Sequence, residues 1–244
     1  MRAPEVAYNS EAKWIGRADC RHCSKRKDTL FGVLTGKELD ELPVQIDQFE
    51  FPPNYRIYSA GDVNEDVYTI RDGLVKAIAR TADGAERIVR LYKPGDVLGL
   101  ESLLSDGCQH TLMTMATVSV CRIPTRIIKR LLVKSPRLLE QLMRQWQISI
   151  ERADYWLTHL TTGIIESRVA WLLKMLAELT SGEQPVVIVL PANQEIAAIV
   201  DATVESVSRT IANMKREKVL VRVAPHTYQC DLGKYHFDRL QVVD

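Results

Sequence analysis

The chain has 244 residues, 46% hydrophobic and 26% charged, enough to bury a core without disulfides and too short for three domains. Lys and Arg number 32 against 31 Asp and Glu, so the net charge of +1 excludes a uniformly basic nucleic-acid coat, though not a locally basic face. Five cysteines with one close pair do not suit a secreted disulfide scaffold. No apolar run reaches the roughly 18 residues of a membrane helix. Pro4, Glu5, Lys13 and Arg17 stand where a signal peptide needs an apolar stretch, so a soluble cytoplasmic protein with no membrane contact is expected.

In chain order, residues 1–28 read as a flexible arm. Seven of the first 27 residues are Lys or Arg, and neither a period of 2 nor of 3.6 holds. The arm carries a CxxC pair, Cys20 and Cys23. Over residues 29–134 glycines recur at 61, 73, 84, 95 and 107, mostly in Gly-Asp or Asp-Gly dipeptides. Between them lie β-rich segments such as Val67–Ile70, Leu74–Ala79 and Arg87–Tyr92, the pattern of an antiparallel β-roll. Asp83-Gly84 predicts a hairpin turn with both central residues at positive φ.

Residues 135–161 switch to helical period behind Pro136. Leu139, Met143, Trp146, Ile150, Ala153, Leu157 and Leu160 follow in alternating steps of four and three, an a/d seam over three heptads. Such a stripe either packs on the roll or pairs two chains. Its narrowness favours a dimerisation helix, with Ala153 as the small knob. Residues 162–244 then read as a helix from Ile164 ending near Gly182, a strand at Val186–Leu190, helices at Asn193–Val200 and Val204–Glu217, and two strands around Pro225-His226. That is a winged helix-turn-helix, and the whole is an α+β chain.

The second helix of this unit carries the functional signal. Val204, Val207, Ile211 and Met214 make an apolar stripe, while Glu205, Ser208 and Arg209 share another face near the N-terminal end. Arg takes guanine O6 and N7 bidentately, Glu accepts from the cytosine amino group, and Ser offers an adaptable hydroxyl. Thr203 is the expected N-cap beside amides suited to a phosphate. An isolated Glu205–Arg209 pair would be only a surface ion pair. Context shifts the reading: from Glu205 to His226 Arg209, Lys215, Arg216, Lys218 and Arg222 face two acids, the local excess that phosphate contacts need.

A β-roll, a long helix and a winged helix-turn-helix in this order resemble the cyclic-AMP receptor/FNR family of bacterial transcription regulators. GDVNEDVYTIRDGLVKA and YKPGDVLGLESLL are similar to the family's roll motifs, and VESVSR resembles the E-x-x-S-R recognition motif of the FNR and FixK branch. The resemblance implies a homodimer reading TTGAT-N4-ATCAA palindromes through Glu205, Ser208 and Arg209, and recruiting or blocking RNA polymerase. Family members that bind cyclic AMP hold its phosphate with an Arg near the end of the roll. Here Pro94 to Cys121 contains neither Lys nor Arg, and Gln109, His110 and Thr111 stand at the expected place. A buried phosphate without a cation is costly, so cyclic AMP is not expected.

Oxygen sensors of the family bind a 4Fe–4S cluster through arm cysteines spaced C-x2-C-x5-C and a fourth late in the roll. Cys20, Cys23 and Cys121 match three of those positions, while Thr29 occupies the remaining one. Asp28 or Cys108, and more remotely His22 or His110, are candidates to complete the set. The residues leave open a cluster, a metal-free thiol response and no cofactor at all, with Cys121 as a core residue and Cys230 as incidental. In oxygen-labile members charge near the seam opposes pairing; Ala153 on the seam, with Asp154 off it, implies a dimer in air. The alternative function is the same fold answering a small molecule in the roll pocket without a cluster. No H-E-x-x-H, G-x-S-x-G or phosphate-cradling loop suggests an enzyme.

Overall fold

A computed structural model of the chain describes residues 11–23, 26–42, 46–104, 107–179 and 186–234. Asp106 and Gly182, at the expected roll turn and helix end, lie outside the described residues. The chain divides into two compact units, Met1–Ala79 with Val89–Ile150 and Arg80–Ile88 with Glu151–Asp244.

The elements of the first unit begin with β1 (Lys13–Arg17), the short helix α1 (Gly36–Asp40), β2 (Asp47–Phe51), β3 (Arg56–Tyr58) and β4 (Asp66–Asp72). There follow β5 (Val75–Arg80), β6 (Glu86–Tyr92), β7 (Val97–Leu98), β8 (Thr111–Thr114), β9 (Val118–Pro124) and α2 (Thr125–Lys134). The strands form two sheets, ordered β1-β2-β9-β4-β7 and β3-β8-β5-β6. This is the expected antiparallel roll. Strand parity decides what each face meets. On β4 and β9, Tyr68, Ile70, Val118 and Val120 join a core with Phe49, Phe51 and Leu112. Val67 and Ile123 join a second core with Leu30, Phe31, Ile127 and Ile128. Arg122, nearly buried, lies 3.6 Å from Asp47 and 3.8 Å from Asp66, the pairing a buried guanidinium requires.

The arm departs from expectation. Rather than flexible throughout 1–28, it holds β1, paired antiparallel with β2, and a 3-10 turn at Arg26–Asp28, followed by another at Leu30–Val33. Alternating exposure along Lys13–Arg17, with one edge of β2 to pair, overrides its basic composition. The β5–β6 turn also differs. Gly84 has φ +84, but Asp83 does not have positive φ, and the Gly84 N–H donates to the Thr81 carbonyl at 2.9 Å. Only one left-handed residue is needed, as in a type I turn closed by glycine.

The long helix α3 (Pro136–Tyr155) runs into a π turn at Trp156–Leu160. It is not a unit of its own, because the division between the two units falls at Ile150. Its Leu138 and Leu142 enter the roll-side core, and Trp146 packs partly against it. The second unit continues with α4 (Ile165–Leu179), β10 (Val187–Val189), α5 (Asn193–Val200), α6 (Val204–Arg216), β11 (Leu220–Ala224) and β12 (Thr227–Cys230). Strand order β10-β12-β11 makes the wing.

Two glycines separate backbone strain from steric fit. Gly73 and Gly84 both have positive φ, but a Cβ at Gly73 would meet the Thr117 carbonyl oxygen whereas one at Gly84 meets nothing within 4 Å. Gly84→Ala should cost about 1 kcal/mol and Gly73→Ala on the order of 3 kcal/mol in urea unfolding. Equal losses at both sites would contradict this packing.

Candidate nucleic-acid interface and cysteine recess

Thr203 caps α6: its Oγ1 accepts from the Ser206 N–H at 3.3 Å. Val207, Thr210, Ile211 and Met214 are the buried inner stripe. Val204, expected in that stripe, is instead 47% exposed. At the first helical position it precedes the turn that the core covers, and Thr210 fills the stripe in its place. Burial of that stripe turns Glu205, Ser208 and Arg209 outward, and all three are exposed. Among the described residues no ion pair joins Glu205 to Arg209, and both side chains are exposed. Lys215 is exposed but places its Nζ over the Tyr228 ring at 4.7 Å, tying the wing to α6. Arg216 bonds to Asn213 one turn back.

Sequence reasoning missed Arg168 on α4. Its Nη1 donates to the Val200 carbonyl at 2.8 Å and to the Asp201 carbonyl at 3.1 Å. A cation on these C-terminal carbonyls of α5 satisfies acceptors the helix leaves open. Asp201 is left-handed, φ +53, so the pinned turn is the one that sends the chain into α6. The signal was a single Arg amid Val169, Ala170, Leu172 and Leu173, all buried.

On α3 and its π turn, Leu139, Met143, Ile150 and Leu157 are 48%, 57%, 57% and 64% exposed, still at heptad spacing, with Ala153 half-buried. Two seam members are corrected. Leu160 is fully buried within the second unit, and Trp146 leans on the roll-side core. A π turn adds residues per turn, so the seven-residue count no longer holds position 160 on the stripe.

The arm cysteines meet Cys121 in one recess. Its lining includes Cys20, Cys23, Arg26, Thr29, Arg71 and Cys121, around a small space open to solvent. Part of the arm's share follows from i to i+3 turns: the Arg26 N–H donates to the Cys23 carbonyl at 3.1 Å and the Thr29 N–H to the Arg26 carbonyl at 3.0 Å, which sets Cys23, Arg26 and Thr29 on one side. Parity explains the roll's share, since Thr69 sits directly opposite Cys121 in the β4–β9 register and Arg71 follows on the same face. Arg71 Nη1 donates to Cys121 Sγ at 3.8 Å. Burial, then the charges of Cys121 and Cys23, push the Cys20 thiol up to about 11. Burial also raises Cys121, and the Arg71 hydrogen bond and charge oppose it.

This donor set does not fit a four-cysteine cluster. The Thr29 hydroxyl donates to the Arg26 carbonyl at 2.8 Å, and Arg71 occupies Cys121. Cys108 belongs to the other core, its thiol pushed up to about 12 by burial. His22 pairs with Asp19 at 2.8 Å, and Asp28's side chain lies outside the described residues. Among the described residues no three His, Cys, Asp or Glu are grouped to hold a metal ion.

Inside the roll, Tyr58 donates to Glu101 at 3.2 Å and Arg90 to the Tyr92 hydroxyl at 3.3 Å. Burial, then the Arg90 charge, hold His110 below the usual histidine range, so it supplies no cation where a cyclic phosphate would need one.

Residues 48–135 match the cyclic nucleotide-binding domain family, and residues 167–232 match the Crp-like helix-turn-helix domain family. The chain is 27% identical over 205 residues to the fumarate and nitrate reduction regulatory protein of Vibrio cholerae, covering 82% of each. It is 28% identical over 179 residues to the transcriptional regulator LdrP of Thermus thermophilus, covering 72% of this chain and 89% of that one. The structure of FixK2 from Bradyrhizobium japonicum shares its fold at a TM-score of 0.72 and 19% identity, over 82% of this chain and all of that one. No helix among the described residues is long and apolar enough to cross a membrane.

Removing the guanidinium that pins the α5–α6 turn tests this geometry. Arg168→Met should destabilise the second unit by about 1–3 kcal/mol, read as a lowered thermal midpoint. An unchanged midpoint would show that the turn holds without it.

Proposed function

We propose that this chain, a DNA-binding transcription regulator of the cyclic-AMP receptor/FNR type, reads TTGAT-N4-ATCAA-type palindromes as a homodimer. It is a regulator, not an enzyme. The observation that carries the palindrome reading is the α6 surface: a buried stripe behind, a capped N-terminus ahead, and Glu205, Ser208 and Arg209 exposed together. Arg209 takes the guanine of TTGAT bidentately, Glu205 accepts from a cytosine amino group, and Ser208 completes the contact. Thr203, Lys215 and Arg216 lie toward the phosphates.

Pairing follows from the apolar row Leu139, Met143, Ile150 and Leu157, with Ala153 between, which one chain leaves uncovered. Two chains joined along it present two α6 helices to half-sites about 34 Å apart. Bound dimers then recruit or block RNA polymerase. The signal enters through the arm–roll cysteines as a redox change. A second reading, a small molecule in the roll, draws on the Tyr58, Glu101, Arg90, Tyr92 and His110 cluster.

Arg209→Ala should weaken binding to a TTGAT palindrome by about 1–3 kcal/mol in fluorescence anisotropy and relax preference at the guanine position. Unchanged affinity and preference would refute the reader assignment. Ile150→Glu should convert a dimer to a monomer in light scattering and remove tight palindrome binding. A wild-type protein that is monomeric in air would contradict the pairing.

A further inference from the structure

The recess that fails to fit a metal cluster has its own chemistry. Three sulfurs share it with two guanidinium groups, Arg26 and Arg71. Only one of those sulfurs, Cys121, receives a hydrogen bond from a guanidinium among the described residues. Burial leaves the Cys121 thiol above its ordinary range, and the Arg71 guanidinium on its sulfur works against that, enlarging the thiolate fraction that attacks. Cys20 and Cys121 both pack partly buried against the same core, and the Cys121 charge is the largest charge acting on Cys20. The arm is not free to wander: β1 is paired with β2, and the Ala18 N–H donates to the Ile46 carbonyl at 2.7 Å. Cys20 and Cys23 therefore follow closely on backbone anchored at β1 and Ala18.

We propose that the recess is a metal-free thiol–disulfide site in which Cys121, held by Arg71, is the peroxide-reactive sulfur and a cysteine of the arm, Cys20 or Cys23, resolves it. The inference rests on the redox reading above and names its chemistry; the oxidant is a hydroperoxide. The Cys121 thiolate attacks one peroxide oxygen, so an S–O bond forms, the O–O bond breaks, and the leaving oxygen departs as alkoxide or hydroxide and takes up a proton. An arm thiolate then attacks the sulfenic sulfur. An S–S bond forms, the S–O bond breaks, and hydroxide leaves with the proton given up by the arm thiol, as water. Two thiols lose two electrons, and the hydroperoxide is reduced to an alcohol, or to water, with a second water released. The product is a covalent clip between the arm and β9.

Arg71 is a positioning residue in this scheme, acting only through the Cys121 sulfur. The test uses full-length protein purified without oxygen, exposed to a few equivalents of hydrogen peroxide, blocked with N-ethylmaleimide and mapped by non-reducing peptide mass spectrometry. The expected product is a peptide joining Cys121 to Cys20 or Cys23, absent in Cys121→Ser. Arg71→Met should slow Cys121 consumption on the order of tenfold, and Arg71→Lys should restore most of the rate, an outcome a merely structural role would not produce. Cys20–Cys23 linkage alone, no linkage at all, or iron and sulfide near four each per chain would overturn the proposal. Palindrome binding by the reduced protein is measured on the same samples. Its loss would count against the DNA reading, and its retention beside a missing clip against the thiol site alone.

Discussion

Burial of Val207, Thr210, Ile211 and Met214 is the constraint on which the proposed DNA-reading surface depends. Once that stripe enters the core of the second unit, helical geometry leaves no freedom at positions 205, 208 and 209: they must point outward. The hydrophobic effect sets the orientation, and no polar contact has to hold the reading heads in place. Thr203 at one end and the Lys215–Tyr228 contact at the other limit fraying and fix the wing beside the helix. Arg168 stiffens the preceding turn from behind. The chemistry offered to a base edge thus sits on a rigid element, which keeps the entropy lost on binding small.

A similar economy governs the roll. The period of two in β4 and β9 divides their residues between an interior core and the recess facing the arm. The interior sulfur, Cys108, is an inert core residue; the recess sulfur, Cys121, has Arg71 for a neighbour. Both cysteines occur in β-rich sequence, and only the side of the sheet separates their roles. Resemblance to cluster-binding relatives accounts for the positions of Cys20, Cys23 and Cys121, whereas the chemistry of the recess follows from what stands beside them, a threonine and two arginines.

Much of this was readable in the chain. Turn dipeptides at regular spacing announced the roll, and the helix–turn–helix boundaries at 200 and 204 agree with the structure. Strongly periodic segments are legible because their burial pattern is local. Apart from the Asp83-Gly84 turn, which needs only one left-handed residue, the failures come from context beyond the local sequence. Nothing near Lys13–Arg17 reveals that β2 has an edge for it to join. Leu160 obeys the heptad count, but a π turn that no local rule marks moves it off the row. Arg168 and Arg71 gain meaning only from partners 32 and 50 residues away. Trp146 shows the remaining ambiguity, since an apolar residue on a two-sided helix says nothing of which side covers it.

The account stands on Arg209 meeting guanine in the major groove. Methylation interference on a TTGAT-N4-ATCAA duplex addresses that contact without altering the protein, because a methyl group on guanine N7 occupies the acceptor that a bidentate Arg requires. The account predicts that duplexes methylated at the guanine of either half-site are depleted from the bound fraction. Full recovery of those methylated duplexes in complex would contradict it.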